Sequence, residues 1–222
     1  MRKLNRKYGK AAISFALFVL TIALVKCVDI AAVGPAGTSI GLSHLNKAVH
    51  DLIGVHMFWY QVTNLLGFWA ILCGAVFACI GLKQLIERKS LKQVDAKILA
   101  LGGLFVLLGV IYVLFEKVVI NCRPVLMEGE TVPEASFPSS HTVLAFVIFG
   151  AIAMMLKDYL QDKRLASMLQ NACLVLILVS VIGRLISGVH WFTDILGGIF
   201  LSYALLMVFS GLLEKLDGKN PM

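Results

Sequence analysis

At 222 residues, 59% of them hydrophobic and only 15% charged, with a mean hydropathy of +0.88, the chain is too apolar for an ordinary water-soluble domain. Its formal charge of +7 sits at the ends of apolar runs, a topology signal that argues against nucleic acid as a partner. Six stretches approach the roughly 20 apolar residues that cross a bilayer, so the expected class is all-α, a six-transmembrane-helix bundle forming one membrane-embedded domain over 1–222.

The basic start, MRKLNRKYGK, leads into a first predicted span at 11–33. That run exceeds the 7–15 residues of a cleaved signal core, and no clear small-residue cleavage site closes it early, so a retained span is expected. Lys26 and Asp29 near its end read as a self-neutralising pair. Gly34, Pro35, Gly37 and Gly41 punctuate 34–54 as a loop. His44, His50 and His56 share no helix face, and no cysteine or carboxylate completes a ligand set, so no metal site is expected. The second span is 55–82, with Gln61 and Asn64 among its few polar residues. A basic, partly helical connection at 83–97 precedes the third span, 98–115. The connection 116–140 carries Pro124, Pro133 and Pro138, and Glu128, Glu130 and Glu134 make it acidic. The remaining spans are 142–156, 172–187 and 192–213, the last two separated by a very short turn.

Fifteen of the 20 Lys and Arg residues fall on the side of the two termini; the other five are Lys26, Lys47, Lys117, Arg123 and Arg184. The bias places both termini in the cytoplasm. Trp59, Tyr60 and Trp191 then form an outer aromatic belt, and Tyr8 and Tyr159 an inner one. Cys73, Cys79 and Cys173 read as packing residues; Cys27 and Cys122 both reach the outer face, where a disulfide is the minority reading.

Three polar segments interrupt the oily pattern: 117–124, 138–141 and 183–194. Two spans separate the connection at 116–140 from the turn near 187–191, so both emerge on one face whatever lies upstream. By the charge bias that face is outside. A phosphate carries about −1.5 to −2 charges. Arg123 and Arg184 can bind its oxygens in bidentate fashion, and Lys117 is a third candidate cation. In Pro138-Ser139-Ser140-His141 the proline ends what precedes it, and Ser139 suits the N-cap of the next span. The free amides of that helix start form an anion site to which Ser139 and Ser140 can add hydroxyls, with His141 beside it as an acid. His190 and Asp194 are four apart, so on a helix the carboxylate can fix the imidazole's tautomer and leave one nitrogen free to attack phosphorus. Gly188 allows a sharp turn just before.

An Arg-Pro pair (Arg123-Pro124), then Pro-Ser-x-His (138–141), then Arg-x3-Gly-x-His-x3-Asp (184–194) resembles the type 2 phosphatidic acid phosphatase family of integral membrane lipid phosphatases. The resemblance covers the motifs, their order and the six-span layout. It implies His190 as a nucleophile forming a phosphohistidine, Asp194 orienting it and His141 as acid and base. It also implies phosphate binding by Arg123, Arg184, Ser139 and local amides, with no metal ion or other cofactor. The chain departs from the pattern in that only five residues separate Lys117 from Arg123 where six are usual, and Glu116 takes the usual lysine place. Lys117 as phosphate ligand and Lys117 as snorkelling anchor both stay open. Gly183 stands where serine is usual, and Ser140 where glycine is usual.

The expected function is therefore metal-independent hydrolysis of a membrane lipid phosphate at the outer leaflet. The family suggests phosphatidic acid, phosphatidylglycerol phosphate or a polyprenyl diphosphate such as undecaprenyl diphosphate. The alternatives are a lipid-phosphate binding or transport protein with weak catalysis, a vanadate-dependent haloperoxidase, and a channel. The partners expected are the lipid substrate and the bilayer, with oligomeric state open.

Overall fold

The protein is described here by a computed structural model covering residues 2–127 and 129–219; Glu128 and the side chains of Arg2, Lys3 and Lys219 lie outside the described residues. The helices are α1 (Arg2–Cys27), α2 (Ser43–Ile53), α3 (Met57–Arg88), α4 (Ala96–Lys117), α5 (Ser140–Tyr159), α6 (Lys163–Ile186) and α7 (Phe192–Lys219). All but α2 are long and apolar enough to cross a membrane.

The bundle is apolar on its outside as well as within. Ile13, Phe68, Val106 and Leu178 stay exposed on α1, α3, α4 and α6, while α5 sends Val147, Phe149 and Met155 into the core. An apolar surface this extensive suits lipid and not water. The protein is a multi-pass membrane protein. α5 is the central helix, packed on α3, α6 and α7, and α1 lies along α7. At the end bearing the termini, Tyr159 donates its hydroxyl to Asp95 (2.5 Å), and Lys97 pairs with Asp158 (2.7 Å) and with Asp217. These bonds tie α4, α5 and α7 together and leave the opposite end free for the polar segments.

Several boundaries differ from the sequence expectations. α1 starts at Arg2 and ends at Cys27, short of residue 33, because Asp29 adopts φ +51°. The expected Lys26–Asp29 pair does not form. The reversal carries Asp29 to Ser43 (3.0 Å) and to the backbone N–H of His44 (2.8 Å), while Lys26 reaches the Val119 carbonyl (3.4 Å). Residues 43–53, expected as loop, form α2, which has no Gly or Pro inside it and carries a Lys47–Asp51 i,i+4 pair (2.7 Å). α6 begins at Lys163, well before residue 172, because Asp162 caps it by accepting from the N–H groups of Arg164 (2.8 Å) and Leu165 (3.1 Å).

Trp191 is not a belt residue: it is buried, and its indole N–H donates to the Cys122 carbonyl (2.7 Å). Cys27 and Cys122 are both free thiols.

Candidate active site

Six helix ends meet at one end of the bundle: the C-terminal ends of α1, α4 and α6 and the N-terminal ends of α3, α5 and α7. A cavity of about 1190 Å³ opens among α3, α4, α5 and the 118–139 connection. Arg123, Ser140, His141 and His190 are among its polar lining residues, as are Glu116, Glu130 and Glu134. Its apolar end runs down α3 as far as Ala78 and down α4 as far as Phe105.

Arg184 lies just behind His141. Its side chain is fully buried near the end of α6, at a depth where a charge must find partners. One terminal nitrogen donates to Thr63 Oγ1 (2.9 Å) and Asn64 Oδ1 (2.9 Å); the other lies 2.9 Å from His141 Nδ1. The Tyr60 ring covers the guanidinium, 4.7 Å from ring centre to Cζ. A guanidinium only donates, so His141 Nδ1 must accept and its proton resides on Nε2.

His190 sits in the turn between α6 and α7. Its Nδ1 donates to the Ser136 carbonyl (3.1 Å), which leaves Nε2 with a bare lone pair, buried and without a partner. Burial, then the charges of Arg184 and Arg123, hold this imidazole well below the ordinary histidine value of 6.5, against the opposing pull of the Ser136 carbonyl.

Asp194 does not make the bond expected of it. Its Oδ2 is 3.7 Å from His190 Nδ1, beyond hydrogen-bond range, because α7 begins only at Phe192 and His190 lies outside the helix. The carboxylate instead accepts from the Trp191 N–H (2.9 Å) and the Asn121 amide (3.3 Å), and its own carbonyl accepts from Ser139 N–H (3.1 Å). Asp194 therefore fastens the His190 turn to the 121–123 segment and to the start of α5. Asn46 of α2 adds a brace by accepting from Thr193 N–H (3.1 Å) and donating to Gly41 (2.9 Å).

Gly188 closes that turn at φ +70°, and a Cβ there would overlap the Gly54 carbonyl. Gly188→Ala is expected to cost about 1–3 kcal/mol of stability. Thermal unfolding in detergent reads this; an unchanged midpoint would mean that the turn yields.

Of the other expected residues, Arg123 pairs with Glu134 (2.9 Å) while its Nε and Nη1 are buried without partners. The 121–123 and 134–136 segments pair antiparallel and set that side chain's position, through Arg123 N–H to Glu134 (2.9 Å) and Ser136 N–H to Asn121 (2.9 Å). Ser140 faces the cavity, whereas Ser139 is fully buried and its Oγ accepts from Thr142 (3.1 Å). Val143 is the first residue of α5 to bond back to Ser139, so the amides before it are the helix's unpaired donors. Lys117 is exposed at the end of α4 and is not among the cavity-lining residues; Glu116 is.

The braces themselves were not found from sequence: Thr63, Asn64, Tyr60, Asn121, Asn46 and the Ser136 carbonyl. Only Asn64 gave a signal, as a polar residue within a span.

A family model described as the PAP2 superfamily matches residues 97–216, more than half of the chain and all three polar segments. The chain belongs to the PAP2 superfamily. That membership makes it a phosphatase by family, and the matched stretch contains Arg123, Ser140, His141 and His190 at the polar end of the cavity. The fold is also that of the crystal structure of the first transmembrane PAP2-type phosphatidylglycerolphosphate phosphatase from Bacillus subtilis. The two share 21% identity and a TM-score of 0.62, over 93% of this chain and 96% of that one. No significant match was found among curated proteins.

Proposed function

We propose that this PAP2 protein, as one membrane-embedded domain over 1–222, hydrolyses the phosphate of a membrane lipid through a phosphohistidine at His190. The observation that carries the reading is the buried, unpartnered Nε2 of His190 at the wall of a cavity shared with Arg123 and His141. His190 Nε2 attacks phosphorus while the bond from phosphorus to the leaving oxygen breaks. The bound phosphate dianion draws the Arg184 guanidinium off His141 Nδ1 and lets that nitrogen take a proton, and the resulting imidazolium gives its Nε2 proton to the leaving oxygen, ending neutral. Water then attacks the phosphohistidine, returning a proton to His141, breaking the P–N bond and releasing inorganic phosphate. Arg123, Ser140 and the amides opening α5 hold the equatorial oxygens, and Arg184 acts on them through charge and through His141. Asp194 and Ser139 brace the turn behind.

The apolar arm of the cavity supports a lipid substrate. Candidates are phosphatidic acid, phosphatidylglycerol phosphate and a polyprenyl diphosphate such as undecaprenyl diphosphate. The distribution of basic residues supports cytoplasmic termini and a site at the outer leaflet.

Purified protein in detergent micelles is expected to release phosphate from at least one of these lipids with a chelator present, because arginines supply the charge. Lipid binding without phosphate release would favour a binding or transport protein on the same fold.

A further inference from the structure

The cavity is cationic at one point and acidic around it. Among the described residues lining it, Arg123 is the only lysine or arginine, while Glu116, Glu130 and Glu134 supply three carboxylates. Glu116, the penultimate residue of α4, lines the cavity, whereas its neighbour Lys117 does not. Glu134 lies on Arg123 Nη2 at 2.9 Å, where a phosphate oxygen would bind, and leaves Nε and Nη1 of the same guanidinium without partners. The nucleophilic nitrogen of His190, 2% exposed as a side chain, opens on the same space without a partner.

A single phosphate group fits this arrangement. Its charge of about −1.5 to −2 is met by Arg123 and by Arg184 behind His141. Its oxygens satisfy the free donors of Arg123 once Glu134 is displaced. A second anionic group on the same substrate has no cation left to meet. Among the described residues every other charged side chain lining the cavity is a carboxylate, and like charges brought together there oppose binding. Hydroxyl groups or an uncharged backbone beside the phosphate can instead donate to, or ignore, those carboxylates.

We infer that Glu116, Glu130 and Glu134 are specificity-determining residues that select lipids carrying one phosphomonoester and no neighbouring anion, against diphosphates and lipids with a second phosphate. The inference rests on the phosphatase reading above and narrows its candidates to phosphatidic-acid-like monophosphates.

The test compares two matched pairs in detergent micelles: farnesyl phosphate with farnesyl diphosphate, and dioleoyl phosphatidic acid with dioleoyl phosphatidylglycerol phosphate. Inorganic phosphate and p-nitrophenyl phosphate serve as competitors and report phosphate recognition without a lipid tail. Wild type is expected to favour the member of each pair with the single phosphomonoester by at least about tenfold in kcat/KM, with the difference carried by KM. Glu116→Gln and Glu130→Gln should each narrow the ratio, the double variant should bring it to within about threefold, and Glu116→Lys should move the preference towards the diphosphate. Equal use of both members by wild type, or ratios unchanged in all variants, would overturn the inference and leave the phosphatase reading intact. Absence of phosphate release from all four lipids would overturn both.

Discussion

His190→Ala is expected to lower phosphate release by at least about 10⁴-fold, since among the described residues lining the cavity no other side chain presents a buried, unpartnered nitrogen with a free lone pair. The substitution also leaves the Ser136 carbonyl without its donor, at a cost of about 1–3 kcal/mol. His190→Asn, which can keep a donor near that carbonyl, separates the two effects: it should restore thermal stability but not turnover. Wild type incubated with lipid labelled in its phosphate and quenched in alkaline detergent should carry a base-stable, acid-labile phosphate that both variants lack. The pH dependence follows from the depressed affinity of this imidazole for protons. The attacking form is the neutral one, and burial together with Arg184 and Arg123 keeps it neutral below the ordinary value of 6.5. The loss of kcat/KM on the acid side should therefore begin below pH 6.5, after allowance for the substrate's own ionisation, titrated separately by phosphorus NMR. Turnover by His190→Ala near the wild-type rate would exclude the mechanism.

Arg184→Lys is expected to cost about 10²-fold or more in kcat/KM, despite keeping the charge. The guanidinium bonds Thr63, Asn64 and His141 in one plane beneath the Tyr60 ring. An ammonium has no such fork. It cannot satisfy Thr63 and Asn64 while also pinning His141 Nδ1, so the tautomer that places the acid proton on Nε2 is no longer enforced. Arg184→Ala should go further, with a loss of about 10³-fold or more and lower stability, because buried acceptors left unpaired cost about 1–3 kcal/mol each. Turnover and unfolding midpoints measured together distinguish the cases. The lysine variant should unfold near the wild-type temperature yet turn over slowly; full activity in that variant would remove the fork from the mechanism.

The site was legible in part, and the split follows from what each residue depends on. Arg123, His141 and His190 could be assigned to one face because span parity is a count, insensitive to where each helix begins. Their meeting at one cavity is a consequence of that count and of the short turn between α6 and α7. Asp194 stands 3.7 Å from His190 Nδ1 without the expected hydrogen bond, because a spacing of four gives close side-chain contact inside a helix and His190 precedes the first turn of α7. Lys117 and Glu116 could not be separated from sequence. Adjacent helical residues point about 100° apart, and which one meets the cavity depends on how α4 is rotated against its neighbours.

Composition, apolar run length and the order of the polar segments were enough to establish an all-helical membrane protein with six spans and to point to its family. These properties are local, since a run of apolar residues is expelled from water whatever surrounds it. The amphipathic α2, the Thr63–Asn64–Tyr60 seat for Arg184, the Ser136 carbonyl behind His190 and the carboxylate on Arg123 were decided only by the folded chain. Each joins residues distant in sequence, and its existence depends on helix rotation and loop path, which arise when the whole bundle packs.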